Sequence, residues 1–261
     1  VDPDAILFLE GVPGGTHPHW GPADAPRAVN ASHWYDGLTL FMKVFNPDFN
    51  MDMETMQPVM GEEAVRALFA RQLAAAKAAH MPTLIGEFGL PFDMDDKRAY
   101  RTGDFSLHIK ALDMYYGAMD ANLLSCTIWN YTADNTNARG DMWNDEDLSV
   151  FSRDQQTADW RQDIHSGGRG LPAVARPYAR KIAGEPLRMT FSLETRTFEL
   201  EYRHDSAVTA PTEIFVPDYQ YPNGFDVALS DGSYTLDDAT LTVLVQHDAA
   251  HPIHTVRITP R

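Results

Sequence analysis

The sequence predicts an α/β chain built in two unlike parts, parallel βα units over 1–185 and a small antiparallel β-sandwich over 186–261. Two observations carry this. In the first part, short apolar runs alternate with segments of helical periodicity, the pattern of parallel strands joined by crossover helices. In the second, polar and apolar residues alternate in short runs separated by turn residues, the pattern of antiparallel pairs.

The elements follow in order. Ala5-Ile6-Leu7-Phe8-Leu9 is a buried-type strand that ends in Glu10-Gly11 and a loop rich in Pro, Gly and His. A second strand spans 28–34 with no helical pattern before it, a third spans 83–88 after Pro82, and a fourth spans 124–129 after the helix stop Asn122. Over 62–80, Val65, Leu68, Phe69, Leu73 and Ala76 recur at helical spacing, with Glu62 and Glu63 placed at the positive end of the helix dipole. A second helix is expected over 104–121, capped by Asp104, with Leu107, Ala111, Tyr115 and Ala118 on one face. A third is expected from Pro172 or Pro177 to Ala183, stopped by Gly184. Beyond it, 188–193 and 197–202 read as a hairpin, and 213–216, 225–229, 241–245 and 255–258 as further strands, with Pro222-Asn223-Gly224 and Asp231-Gly232-Ser233 as turns.

Composition bounds the function. With 261 residues there is room for one large or two smaller domains. Lys and Arg total 21 against 37 Asp and Glu, and a net charge of −16 argues against nucleic acid and against an anionic membrane surface. Cys126 is the one cysteine, so no intrachain disulfide forms; it favours a cytoplasmic setting over a secreted one without fixing the compartment. No apolar run has the length of a membrane span, and Val-Asp-Pro-Asp at the N-terminus is not a signal peptide. A start without Met suggests that residues upstream have been removed or omitted.

In a parallel βα architecture the chemistry gathers at the C-terminal ends of the strands. The first strand ends in Glu10, the second in His33-Trp34-Tyr35-Asp36, the third in Glu87 and the fourth in Trp129-Asn130-Tyr131. A carboxylate, an orienting His/Tyr pair and a flat indole suit carbohydrate chemistry: attack on an anomeric carbon, hydrogen bonding to the attacking group, and stacking under a pyranose. The loop over 132–152 adds Asp134, Asn135, Asn137, Arg139, Asp141, Trp143, Asn144 and Glu146, groups that bind sugar hydroxyls. Singly, a Glu beside Gly is polar punctuation and a strand-end Trp is more often core. Their order on four consecutive strands is what points to a site.

Ser32-His33-Trp34-Tyr35-Asp36-Gly37, Ile85-Gly86-Glu87-Phe88-Gly89 and Thr127-Ile128-Trp129-Asn130-Tyr131 resemble the last strands of a glycoside hydrolase family 5 barrel. Pro91-Phe92-Asp93-Met94-Asp95-Asp96 and the segment from Asp134 to Asp141 resemble the branch of endoglycoceramidases, glucosylceramidases and steryl-β-glucosidases. The resemblance implies half of a (β/α)8 TIM barrel, strands five to eight, followed by the β-sandwich of that branch. It further implies a retaining β-glucosidase without cofactor or metal, acting on a β-glucoside with a hydrophobic aglycone. Glu87 matches the nucleophile, His33 and Tyr35 the residues that orient it, and Trp129 the sugar platform; Trp34, Asn130, Asp134, Asn137 and Trp143 are taken as further sugar contacts.

The sequence departs from the family at the acid/base, a Glu after an Asn at the end of the fourth strand. No Asn-Glu dipeptide occurs here. A full barrel takes about 250 residues, whereas about 185 precede the sandwich. Three readings stay open: a fragment, a half-barrel completed by self-association into a dimer, or a substitute acid, with Glu10 better placed than Asp93 or Asp95. The rival to catalysis is a carbohydrate- or partner-binding remnant. Of the weaker signals, His17-Pro18-His19 reads as a polar loop rather than a metal site, Gly167-Gly168-Arg169-Gly170 is no phosphate loop, and the acidic run 141–147 misses the calcium-loop pattern. The glycosylation sequons at Asn30 and Asn130 fall in barrel strands, where a glycan does not fit.

Overall fold

The structure, a computed structural model, describes residues 2, 4–11, 21, 24, 27–77, 81–143 and 145–261. The His17-Pro18-His19 segment lies outside the described residues. The chain divides into two compact units, Val1–Leu171 and Pro172–Arg261.

In the first unit, β1 (Leu7–Leu9) pairs in parallel with β2 (Ala28–Asn30). β2 is followed by α1 (Gly37–Met42), the hairpin β3 (Phe49–Asp52) and β4 (Gln57–Met60), and α2 (Glu62–Ala75). β5 (Leu84–Phe88), α3 (Met94–Thr102), α4 (Ser106–Ala121) and β6 (Ser125–Ile128) complete it, with β5 and β6 parallel. The chain after β2 lies along β5 through the Asn30–Thr83 bridge and the bonds from Gly86 N to Ser32 O (3.0 Å) and from Trp34 N to Glu87 O (2.9 Å). The four parallel strands therefore stand edge to edge in chain order, a section of (β/α)8 barrel wall. α2 and α4 cover it: Val65, Leu68, Phe69 and Leu73 of the face expected on one are buried, as are Ala111, Tyr115 and Ala118 on the other, where Leu112 is buried and the expected Leu107 is only half-buried.

The second unit is an antiparallel sandwich that begins at Pro172, ahead of the expected boundary at 186. β7 (Tyr178–Lys181), β10 (Thr212–Phe215), β13 (Thr242–Gln246) and β12 (Ser233–Asp237) form one sheet, ordered β12-β13-β10-β7. β8 (Gly184–Ser192), β9 (Thr197–His204), β14 (Ile253–Pro260) and β11 (Phe225–Leu229) form the other, ordered β11-β14-β9-β8. Phe198, Leu200, Val256 and Ile258 of one sheet share a core with Ile214, Val243 and Val245 of the other. The helix expected to run to Ala183 is instead one short turn, α5 (Leu171–Val174), followed by strand β7. Pro177 explains the correction: it removes a helical donor and biases the residue before it away from helical angles.

Candidate active site

The strand ends bring three of the expected residues into direct contact. Glu87, the fourth residue of β5, accepts a hydrogen bond on Oε2 from the Tyr35 hydroxyl at 3.0 Å. The same oxygen lies 3.0 Å from His33 Nδ1. That nitrogen also lies 3.1 Å from Glu10 Oε1 at the end of β1. Both partners of Nδ1 are carboxylate acceptors, so Nδ1 carries a proton and donates it to both. Since both oxygens touch one nitrogen, the carboxyl groups of Glu10 and Glu87 approach to within about 6 Å, close to the ~5–5.5 Å of a retaining pair.

Local sequence makes this approach possible. A Cβ on Gly86 would stand 2.6 Å from Ala31 O and 3.2 Å from His33 Cδ2, so only glycine lets the segment after β2, which bears His33, lie this close to β5. A Cβ on Gly89 would stand 2.2 Å from Trp129 O, so the chain after β5 and the end of β6 also meet through glycine. Trp129 is half-buried and joined to Asn130 by a cis peptide. Burial, followed by the negative charge of Glu87 and its hydrogen bond, raises the Tyr35 hydroxyl far above its ordinary pKa, so Tyr35 acts as a fixed donor.

The loop after β6 forms the rim. Asn130 Nδ2 donates to Asp141 Oδ2 at 3.0 Å, and the same oxygen accepts from Leu148 N at 3.1 Å. Asn137 N donates to Asp154 Oδ2 at 2.7 Å, whereas Asp134 is exposed and faces Arg139 Nη2 at 3.3 Å. Trp143 stands exposed. Burial, with Asp141, Asp93 and Glu87 adding negative charge, raises the pKa of Glu146, while Lys43 opposes the rise. Lys43 Nζ donates to Asp93 Oδ2 at 2.6 Å and to Asp145 O at 3.2 Å. Beneath the rim, Arg169 is fully buried and contacts Asp147 Oδ1 through Nη2 at 2.6 Å and Oδ2 through Nη1 at 3.0 Å. Its guanidinium lies 4.5 Å over the Phe92 ring.

Trp34 is a correction. Read as a sugar contact, it is 8% exposed, packs edge-on against Phe69 and Tyr115 at 5.5 Å and 5.2 Å, and donates from Nε1 to Gln72 at 3.2 Å. It is a core residue, because the side chain between His33 and Tyr35 points to the opposite face of the strand. Asp36, next in sequence, is also buried; its carboxylate takes bonds from Thr39, Asn50 and Tyr115. Asn30 is buried, with Nδ2 bound to Ala76 O at 2.9 Å, which leaves no room for a glycan. Of the other proposed acids, Asp93 is committed to Lys43, and Asp95 sits in left-handed backbone (φ 51°) at the broken start of α3.

The chain thus joins parallel strands, with a carboxylate held between Tyr and His at their C-terminal ends, to an antiparallel sandwich. Residues 176–259 match the glycoside hydrolase family 5 C-terminal domain. The chain is 30% identical to a glucosylceramidase from Rhizopus delemar over 82% of its own length and 36% of that protein. It is 27% identical to an ergosteryl-beta-glucosidase from Saccharomyces cerevisiae over 86% and 39%. The crystal structure of Cryptococcus neoformans sterylglucosidase 1 superposes with a TM-score of 0.87 and 29% identity, over 99% of this chain and 42% of that one. The chain thus resembles glycoside hydrolases of family 5, in the branch of glucosylceramidases, steryl-glucosidases and endoglycoceramidases. It spans about two fifths of the length of these relatives.

Proposed function

We propose that this chain carries the nucleophile side of a retaining β-glycosidase acting on β-glucosides with an apolar aglycone, such as a glycolipid or steryl glucoside. The observation that carries the reading is the Glu87 carboxylate, whose Oε2 is held by Tyr35 and His33, each at 3.0 Å. Two donors on one oxygen fix the plane of the carboxylate and leave Oε1 to attack C1 of the sugar. The C1–O bond to the aglycone then breaks as the C1–Oε1 bond forms, and water later hydrolyses the glycosyl ester. Trp129 serves as the platform under the sugar, with Trp143 and the 132–152 loop as its rim.

The names of the relatives supply the substrate class, and apolar surface near the site supports it. Phe41 and Met42 on α1 stand 79% and 65% exposed just after the strand end that carries Tyr35. A groove of about 670 Å³ opens beside the end of β6, lined by Tyr131, Phe151, Trp160, Ile164 and Leu171.

In place of the Asn-Glu acid that this sequence lacks, Glu10 is the carboxyl that shares His33 with Glu87. Glu146 is the carboxyl that burial and like charge bias toward the protonated form. Completion of the barrel by self-association into a dimer is the second reading. It is favoured by β1, whose Leu7 and Phe8 point to opposite faces and are both exposed. A clean monomer by light scattering would remove that reading.

The test of the nucleophile uses an activated aryl β-glucoside, whose leaving group needs little protonation. The expected result is a burst of aryl release with a covalent glucosyl adduct on Glu87 by mass spectrometry, reduced at least about a thousandfold in Glu87→Gln. Sugar binding without a burst at any protein concentration would favour the carbohydrate-binding reading instead.

A further inference from the structure

The sandwich holds a cluster of histidines that the glycosidase reading does not use. Tyr202 and His204 lie two residues apart on β9 and so share a face, and His254 on β14 stands directly opposite Tyr202. His247 follows the last residue of β13, in the other sheet. One ligand nitrogen from each of His204, His247 and His254 lies within 4.8 Å of the others. We propose that these three histidines bind one transition-metal ion, zinc in the first instance, at one end of the sandwich.

Geometry supports a shared centre. Tetrahedral zinc with Zn–N bonds of about 2.0–2.1 Å places its nitrogens about 3.3 Å apart. His204 Nδ1 and His254 Nε2 stand 3.1 Å apart. The ring centroids are separated by 4.4 Å (His247–His254), 4.9 Å (His204–His247) and 5.3 Å (His204–His254). Imidazoles that radiate from one ion at bond angles of roughly 90–110° have centroids about 4.5–5.2 Å apart. His247, only half-buried at a strand end, has the side-chain freedom to draw its nitrogen in, and its Nδ1 is buried without a hydrogen-bond partner.

The supporting groups match a metal site as well. His254 Nδ1 faces the Asp231 carboxylate at 2.8 Å and 3.0 Å. A ring that donates Nδ1–H to a carboxylate presents the bare lone pair of Nε2, the carboxylate–histidine–metal arrangement. Asp231 is itself held by Asp248 N at 2.8 Å. The adjacent Gly232 (φ +76°) admits no side chain, since a Cβ there would meet Gln246 O at 2.2 Å. His204 Nδ1 stands 2.9 Å from His251 O, so ligation through that nitrogen gives up this hydrogen bond and moves the ring proton to Nε2. Three imidazoles leave a fourth position for water or another ligand. Because the histidines come from both sheets, the ion would tie β9, β13 and β14 together.

The chain, stripped with a chelator, is titrated with Zn²⁺ by calorimetry and with Co²⁺ by visible absorption, and its thermal unfolding is followed with and without metal. One ion per chain, a four-coordinate cobalt spectrum and a raised Tm are expected. His247→Ala, a replacement at a half-buried position, should weaken binding at least tenfold, and Asp231→Asn about 10–100-fold. His17→Ala/His19→Ala should leave it unchanged, which separates the sandwich site from the other histidine pair. Absence of stoichiometric binding, or binding that survives both His247→Ala and His204→Ala, would overturn the proposal and leave a hydrogen-bonded histidine cluster.

Discussion

The two units bury their strands to very different degrees. In the sandwich, Phe198, Ile214, Val243 and Ile258 are fully buried, and each sheet covers the inner face of the other. In the barrel unit, Phe8 on β1 is 60% exposed and β6 alternates between exposed and half-buried residues, with no fully buried position. Both regions consist of short strands with apolar side chains. The difference lies in what faces them: the sandwich supplies both of its layers from one stretch of chain, whereas the inner face of the barrel wall has no second layer among the described residues.

Substitutions can break or sharpen this contrast. Phe198→Ala should have the largest effect on stability, about 3–5 kcal/mol, read as a lower denaturation midpoint of the sandwich with little change in barrel-unit fluorescence. In the barrel unit the comparable weak point is polar: Arg169→Met strands the buried Asp147 carboxylate and should cost about 3 kcal/mol. Much of that should return in Arg169→Met/Asp147→Leu, measured as a double-mutant cycle. Acid should also act on the barrel unit through His108, stacked on Phe92 and held by burial at a pKa of about 4, below its usual 6.5. The unfolded chain takes up this proton first, so stability is full above about pH 6.5 and falls by up to about 3 kcal/mol as the pH drops to 4. Parallel melts of His108→Asn should show a shallower decline between those values, and an unchanged slope would assign acid sensitivity elsewhere. The smallest effect is expected for Phe8→Ser, which should change the stability of the isolated chain by less than about 0.5 kcal/mol. If the barrel closes by self-association, the same variant should weaken the dimer in sedimentation equilibrium, and an unchanged association constant would place the interface away from β1.

The sequence disclosed these elements unevenly, for physical reasons. Strands β1, β2, β5 and β6 were legible because each is a short apolar run, and α2 and α4 because their buried residues recur at helical spacing. The β3–β4 hairpin was not, because its buried positions on β3 are Asn50 and Asp52 rather than apolar residues, so its alternation is inverted. Their burial is offset by bonds to Asp36, Thr55 and Arg71, partners that no local pattern announces. β12 escaped because nearly every position on this edge strand is exposed. Within the site, Glu87, His33 and Tyr35 were visible as strand ends, and Trp34 was misread because a strand end does not reveal which side chain turns inward. His204, His247 and His254 carry no local motif; antiparallel register and the stacking of the two sheets bring them together.

The Lys43 ammonium connects three loops. It belongs to the segment after β2, its partner Asp93 to the segment after β5, and Asp145, whose carbonyl it also holds, to the segment after β6. A rim pinned at one cation cannot vary loop by loop. Any exchange of one loop for that of a relative must carry the Lys–Asp pair with it or loosen the other two. The shape of this rim should therefore change in blocks, with Lys43 and Asp93 exchanged together, rather than one loop at a time.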